Sequence, residues 1–99
     1  MTGFPEEYRG VATILLGDRQ VAADVRLSAR FEPIEGRYRW AGRTGPNGAL
    51  LAQVRSGVRE AAVRIAGGLV VTARLGEPDP WGGVRLSGVG APPWAASAG

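Results

Sequence analysis

The sequence predicts an all-β fold: a small antiparallel six-stranded meander barrel, or a two-sheet sandwich, with one short helix. Apolar and polar residues alternate with period two in run after run, the runs are separated by glycine-containing turns at hairpin spacing, and only residues 49–56 have a helix-forming composition. At 99 residues the chain is expected to be one all-β domain over 1–99, because a second core has no room. Closure is favoured because it leaves no strand edge unpaired.

The first run, residues 8–16, meets the second, 21–31, across Gly17-Asp18, a dipeptide suited to a type II′ hairpin with Gly first. That loop sets Ile14 opposite Val21 and Ala12 opposite Ala23. Along the second run Val21, Ala23, Val25, Leu27, Ala29 and Phe31 share one face, while Asp24, Arg26, Ser28 and Arg30 share the other. A turn built on Pro33 and Gly36 leads to a third strand over 38–44. Pairing Phe31 with Tyr38, Ala29 with Trp40 and Leu27 with Gly42 keeps apolar residues together; a slip of one residue would put Phe31 against Arg37.

Gly45-Pro46-Asn47-Gly48 ends that strand, and a helix over 49–56 is expected to stop at Gly57. Strand four, 59–65, returns on strand five, 69–75, through Ala66-Gly67-Gly68, which matches Val63 with Val71, Ala61 with Ala73 and, outside, Glu60 with Arg74. Residues 76–83 are too rich in Pro and Gly for a regular element and read as a shaped loop before strand six, 84–89. A flexible tail is expected after about residue 94.

There is no Cys and no His, which removes structural zinc, thiolate and Ser-His nucleophiles and imidazole acid–base chemistry. The nine acids are scattered, so no metal site and no cofactor are expected, and no phosphate-loop or dinucleotide motif is present. No run is apolar enough to span a membrane, and the first residues lack a secretion signal, so the cytoplasm is the expected location. All twelve basic residues are Arg. Eight of them fall in residues 26–64 against three acids, so the net charge of +3 is concentrated in the centre of the chain.

Tyr8-Arg9-Gly10, the block from Phe31 through Arg43 (FEPIEGRYRWAGR) and Asp79-Pro80-Trp81-Gly82 together resemble one actinobacterial domain-of-unknown-function family. The resemblance covers roughly residues 8–93. It implies a domain that occurs either alone or as the C-terminal extension of flavin-dependent monooxygenases, and hence a link to such enzymes without a mechanism. Members of that family commonly carry His before the Trp that corresponds to Trp40; Arg39 stands there in this chain, so no His-based role transfers.

The candidate residues fall in two groups. For catalysis, Tyr8, Tyr38 and Asp79 could orient a substrate in an apolar cavity, as in a cofactor-free cyclase or isomerase. The bland alternative makes Tyr38 and Trp40 barrel filling with the phenol and indole NH satisfied near a rim, and Asp79 a turn residue accepting backbone NH groups while Trp81 plugs the barrel end. For binding, Arg26, Arg30, Arg39 and Arg43, with Tyr38, Trp40 and Trp81, could hold a partner enzyme or a small anionic or aromatic ligand. The second hairpin sets Arg30 against Arg39 and Arg26 against Arg43, and like charges directly opposite invite a compensating anion. Asp24, Glu32 and Glu35 are expected to neutralise this face only in part. Aromatics and arginines on opposite faces argue against nucleic acid. The pattern is compatible with a homodimer, and it favours a binding module over an enzyme.

Overall fold

The alternation read from the sequence becomes a closed barrel in the computed structural model, which describes residues 4–95. Strands β1 (Glu7–Leu16), β2 (Arg19–Glu32) and β3 (Arg37–Thr44) precede helix α1 (Gly48–Arg55); β4 (Glu60–Arg64), β5 (Val70–Pro78) and β6 (Val84–Val89) follow it. Every neighbouring pair is antiparallel, in the order β1-β2-β3-β6-β5-β4 with β4 returning to β1. The closed ring excludes the sandwich. The strands do not form one continuous meander, however: β3 pairs with β6, and two three-stranded meanders are joined by α1. An eight-residue helix between β3 and β4 carries the chain past β6 and β5, a span that no tight turn can bridge.

The hairpins have the expected registers. Ile14 faces Val21, Phe31 faces Tyr38, Ala29 faces Trp40, and Val63 faces Val71. Gly17 has φ +64°, and no non-glycine residue has positive φ among those described, in keeping with a II′ turn that needs Gly at its first position. One expectation changes: β5 runs through Gly76 and Glu77 to Pro78 instead of ending at Leu75. The ladder with β6 shifts between Leu75 and Pro78, and such a bulge admits a proline that cannot donate to the ladder.

Inward positions form one apolar core. Trp40, Ile14, Leu50, Leu75, Leu86, Val63 and Val84 are its largest fully buried hydrophobic side chains, Trp40 being 1% exposed. Gly88 faces Trp40 across the β3–β6 ladder, and a Cβ there would collide with the indole. Gly42, on the same inner face, likewise has no room for a Cβ beside the Arg26 carbonyl. Gly88 thus makes space for one large ring inside a narrow barrel, while Gly42 lets the backbones of β2 and β3 come close. The indole NH is not met near a rim as expected: Trp40 Nε1 is buried and has no hydrogen-bond partner among the described residues.

Two plugs close the ends. Asn47 caps α1, its side-chain oxygen accepting from the Leu50 NH at 3.0 Å while its amide donates to the Ala22 carbonyl at 2.9 Å; Leu50 and Val54 point into the core. At the far end of α1, Arg59 donates to the Val54 carbonyl at 2.8 Å, so this arginine serves the helix terminus. The opposite barrel end receives residues 92–95, all buried, with Trp94 Nε1 donating to the Pro5 carbonyl at 2.6 Å. The tail expected after about residue 94 lies, beyond Ala95, outside the described residues. No helix among those described is long and apolar enough to cross a membrane.

Candidate functional site

Closure extends the arginine pairs of the second hairpin into a row. Arg9 on β1 lies opposite Arg26 on β2, Arg26 opposite Arg43 on β3, and Arg43 opposite Arg85 on β6. All four are exposed on the outer wall. Adjacent strands are about 4.8 Å apart, so the row runs about 14 Å across four strands, perpendicular to them. Like charges directly opposite destabilise a sheet, and this row contains three such steps.

Little within the chain neutralises it. Among the described residues no salt bridge involves Arg9, Arg26 or Arg85, and Arg43 has one long contact, 3.9 Å from Nη1 to Asp79 Oδ2. Asp79 is occupied as the turn reading expected: its Oδ1 accepts the backbone NH groups of Trp81 and Gly83, each at 2.9 Å. The Arg30–Arg39 step is different. Arg30 Nε donates to Glu32 at 2.9 Å, and Arg39 holds Glu35 with two bonds, at 2.5 and 2.7 Å. The hydrogen bond from Arg39 keeps the Glu35 carboxyl below its ordinary value of 4.5 and raises the Arg39 guanidinium.

Between the two arginine levels lies a floor of small side chains, Ser28, Ala41 and Ser87, in register on β2, β3 and β6. Three shallow grooves follow this surface. One of about 350 Å³ is lined by Arg9, Asp24, Arg26 and Arg43; one of about 500 Å³ by Glu7, Arg9, Arg26 and Ala41; and one of about 410 Å³ by Arg30, Arg39, Arg85 and Ser87. Their side chains face outward.

The other candidates do not converge. Tyr8 folds over Gly10, donates to the Val11 carbonyl at 2.8 Å and stacks on Trp94 at 6.1 Å. Tyr38 packs edge-on against Phe4 and Phe31, with centroids 5.1 and 5.3 Å away. Both belong to the end of the barrel closed by residues 92–95, whereas Asp79 is in the β5–β6 loop at the other end. Thr44 is the one buried polar or charged residue among those described, and it is spent on structure, accepting from the Val84 NH at 3.0 Å and donating to the Gly45 carbonyl. Among the described residues, no Asp, Glu or Arg is buried in the barrel interior. Trp40 is core and unavailable for stacking. Trp81 does not plug the barrel: it is 73% exposed, on a loop tied to the N-cap of α1 by the Asn47 NH bond to the Gly82 carbonyl.

Arg9 and Arg85 were missing from the residues chosen by sequence. Arg9 was within reach, because carrying the first hairpin register past Ala12–Ala23 sets it opposite Arg26. Arg85 had no such signal, since β3 meets β6 only on closure.

No solved structure matches the chain. Two mycobacterial proteins are similar to it, each 35% identical over 92 residues: uncharacterized protein Rv0943c of Mycobacterium tuberculosis (strain H37Rv) and uncharacterized protein Mb0968c of Mycobacterium bovis. The match covers 93% of this chain and 26% of each relative, so the chain spans about a quarter of the length of the curated relatives it matches. A family model described as "Domain of unknown function (DUF4873)" matches residues 5–96, which include every strand of the barrel, and the chain belongs to that family.

Proposed function

We propose that this domain is a non-catalytic accessory module of the cytoplasm that binds an anionic partner on the outer face of β1, β2, β3 and β6. The partner is an enzyme, linked to flavin-dependent monooxygenases by the resemblance of the sequence. The observation that carries the reading is the row of Arg9, Arg26, Arg43 and Arg85, aligned across four strands with one weak carboxylate contact. Guanidinium groups suit bidentate binding of carboxylate or phosphate, and an anion that joins the row relieves repulsion that the free domain must carry. The mycobacterial relatives support an accessory role, because in them the matching region is a minor part of a longer chain.

Thermal unfolding tests it. Millimolar sulfate or inorganic phosphate is expected to raise Tm more than chloride at matched ionic strength. At ten times Kd the gain is about 1.4 kcal/mol, worth roughly 6–11 °C for a domain of this size. The Arg26→Ser/Arg43→Ser double variant should lose this anion-specific increment and remain folded. Equal responses of the native chain to all three anions would reduce the row to a solvated face.

A further inference from the structure

We infer that the occupant of the arginine face is a helix of a partner protein, with acidic residues along one side and an apolar contact for Trp81. The inference rests on the anion-binding reading and goes further by naming the shape of the ligand. The row crosses the strands in steps of about 4.8 Å. Acidic residues three and four apart on a helix are about 5–6 Å apart, a close match, whereas same-face residues of an extended chain are separated by about 6.8 Å. A row of about 14 Å corresponds to roughly nine or ten helical residues.

The surface beside the row has the right width. Arg26 and Arg30 on β2, and Arg43 and Arg39 on β3, are four residues apart on one face, about 13 Å along the strand, with Ser28 and Ala41 between them. A helix with its side chains is about 10–12 Å across and can lie in that channel parallel to the row. The grooves are shallow and open, unlike the concave pockets that enclose small molecules. Charge in the channel is one-sided: Arg30 and Arg39 are already engaged by Glu32 and Glu35, so the free positive edge is the upper row. A helix with one acidic stripe complements that asymmetry.

Trp81 supplies the apolar element. It is 73% exposed, and its backbone NH donates to Asp79, whose carboxylate is 3.9 Å from Arg43, so the loop that carries the ring adjoins the upper row. Trp and Arg are the residue types that most often dominate protein interfaces.

The test titrates the folded domain with three probes of equal net charge at low salt: a helical peptide with Glu at i, i+4, i+7 and i+11; the same composition with Glu spread round the helix; and a single-stranded oligonucleotide. Trp81 fluorescence is the readout, with Trp81→Phe identifying its share of the signal. The striped peptide is expected to bind about tenfold more tightly than the spread one. It should shift Trp81 emission to the blue and lose its advantage in Arg26→Ser/Arg43→Ser. Equal binding of the two peptides, tighter binding of the oligonucleotide, or no binding of any probe would overturn the helix. If the native chain still answers sulfate in the melting experiment, the anion-binding reading survives that result; if it does not, both fall together.

Discussion

Two arginine levels on one outer wall, about 13 Å apart, meet their charge in different ways. Arg30 and Arg39 stand beside the β2–β3 turn, where Glu32 and Glu35 can swing a carboxylate onto them. Arg9, Arg26, Arg43 and Arg85 stand in mid-sheet, where the pleat fixes which side chains are neighbours. Glu7 and Asp24 lie two residues along the same face from Arg9 and Arg26, yet neither forms a salt bridge among the described residues. A turn can correct an unfavourable pair locally. A four-strand row cannot be corrected that way, and among the described residues its one salt bridge is the long contact from Arg43 to Asp79.

The largest expected effect removes the support shared by both levels. Trp40 lies beneath them on the inner face, and Trp40→Ala should cost about 3–5 kcal/mol in a denaturant titration. A loss below about 1 kcal/mol would mean that the ring does not hold this wall, and the alignment of both rows would then be in question.

Charge changes should separate the levels by sign. Arg26→Glu, flanked directly by Arg9 and Arg43, is expected to stabilise the domain by about 0.2–1 kcal/mol for each new opposite pair. It should also abolish the sulfate response. Arg39→Ser removes an exposed ion pair and should lower the urea midpoint only slightly while leaving that response intact. If both substitutions moved the urea midpoint in the same direction, the distinction between the levels would fail.

The smallest effect is that of pH. The Arg39 bond lowers the Glu35 value in the folded state, so its contribution to stability is present above the ordinary value of 4.5 and lost as pH falls through the lower folded value. Acid should therefore free Arg39 and make the lower level resemble the upper one. The sulfate-specific gain in Tm is expected to grow across that window, and to do so less in Glu35→Gln, whose Arg39 is already free at neutral pH. A gain that does not change with pH in the native chain would dissolve the coupling between Glu35 and anion binding.

Alternation, turn chemistry and loop length were enough to read three of the four hairpins, including the Arg26–Arg43 and Arg30–Arg39 steps, but not β5–β6, whose ladder shifts between Leu75 and Pro78. A two-residue loop or a short turn leaves one register that keeps apolar residues on one face, so local sequence determines the pairing. The same logic covers the Asp79 turn, whose side chain accepts NH groups two and four residues away. Tertiary structure alone decided that β3 meets β6 and that β4 returns to β1. Those partners are joined through α1 or through whole strands, and no loop between them imposes a register; closure and core packing choose it. For that reason Arg85, distant in sequence, completes a row whose other members were within reach of local reading, and Trp81 is an exposed ring on the β5–β6 loop instead of a plug.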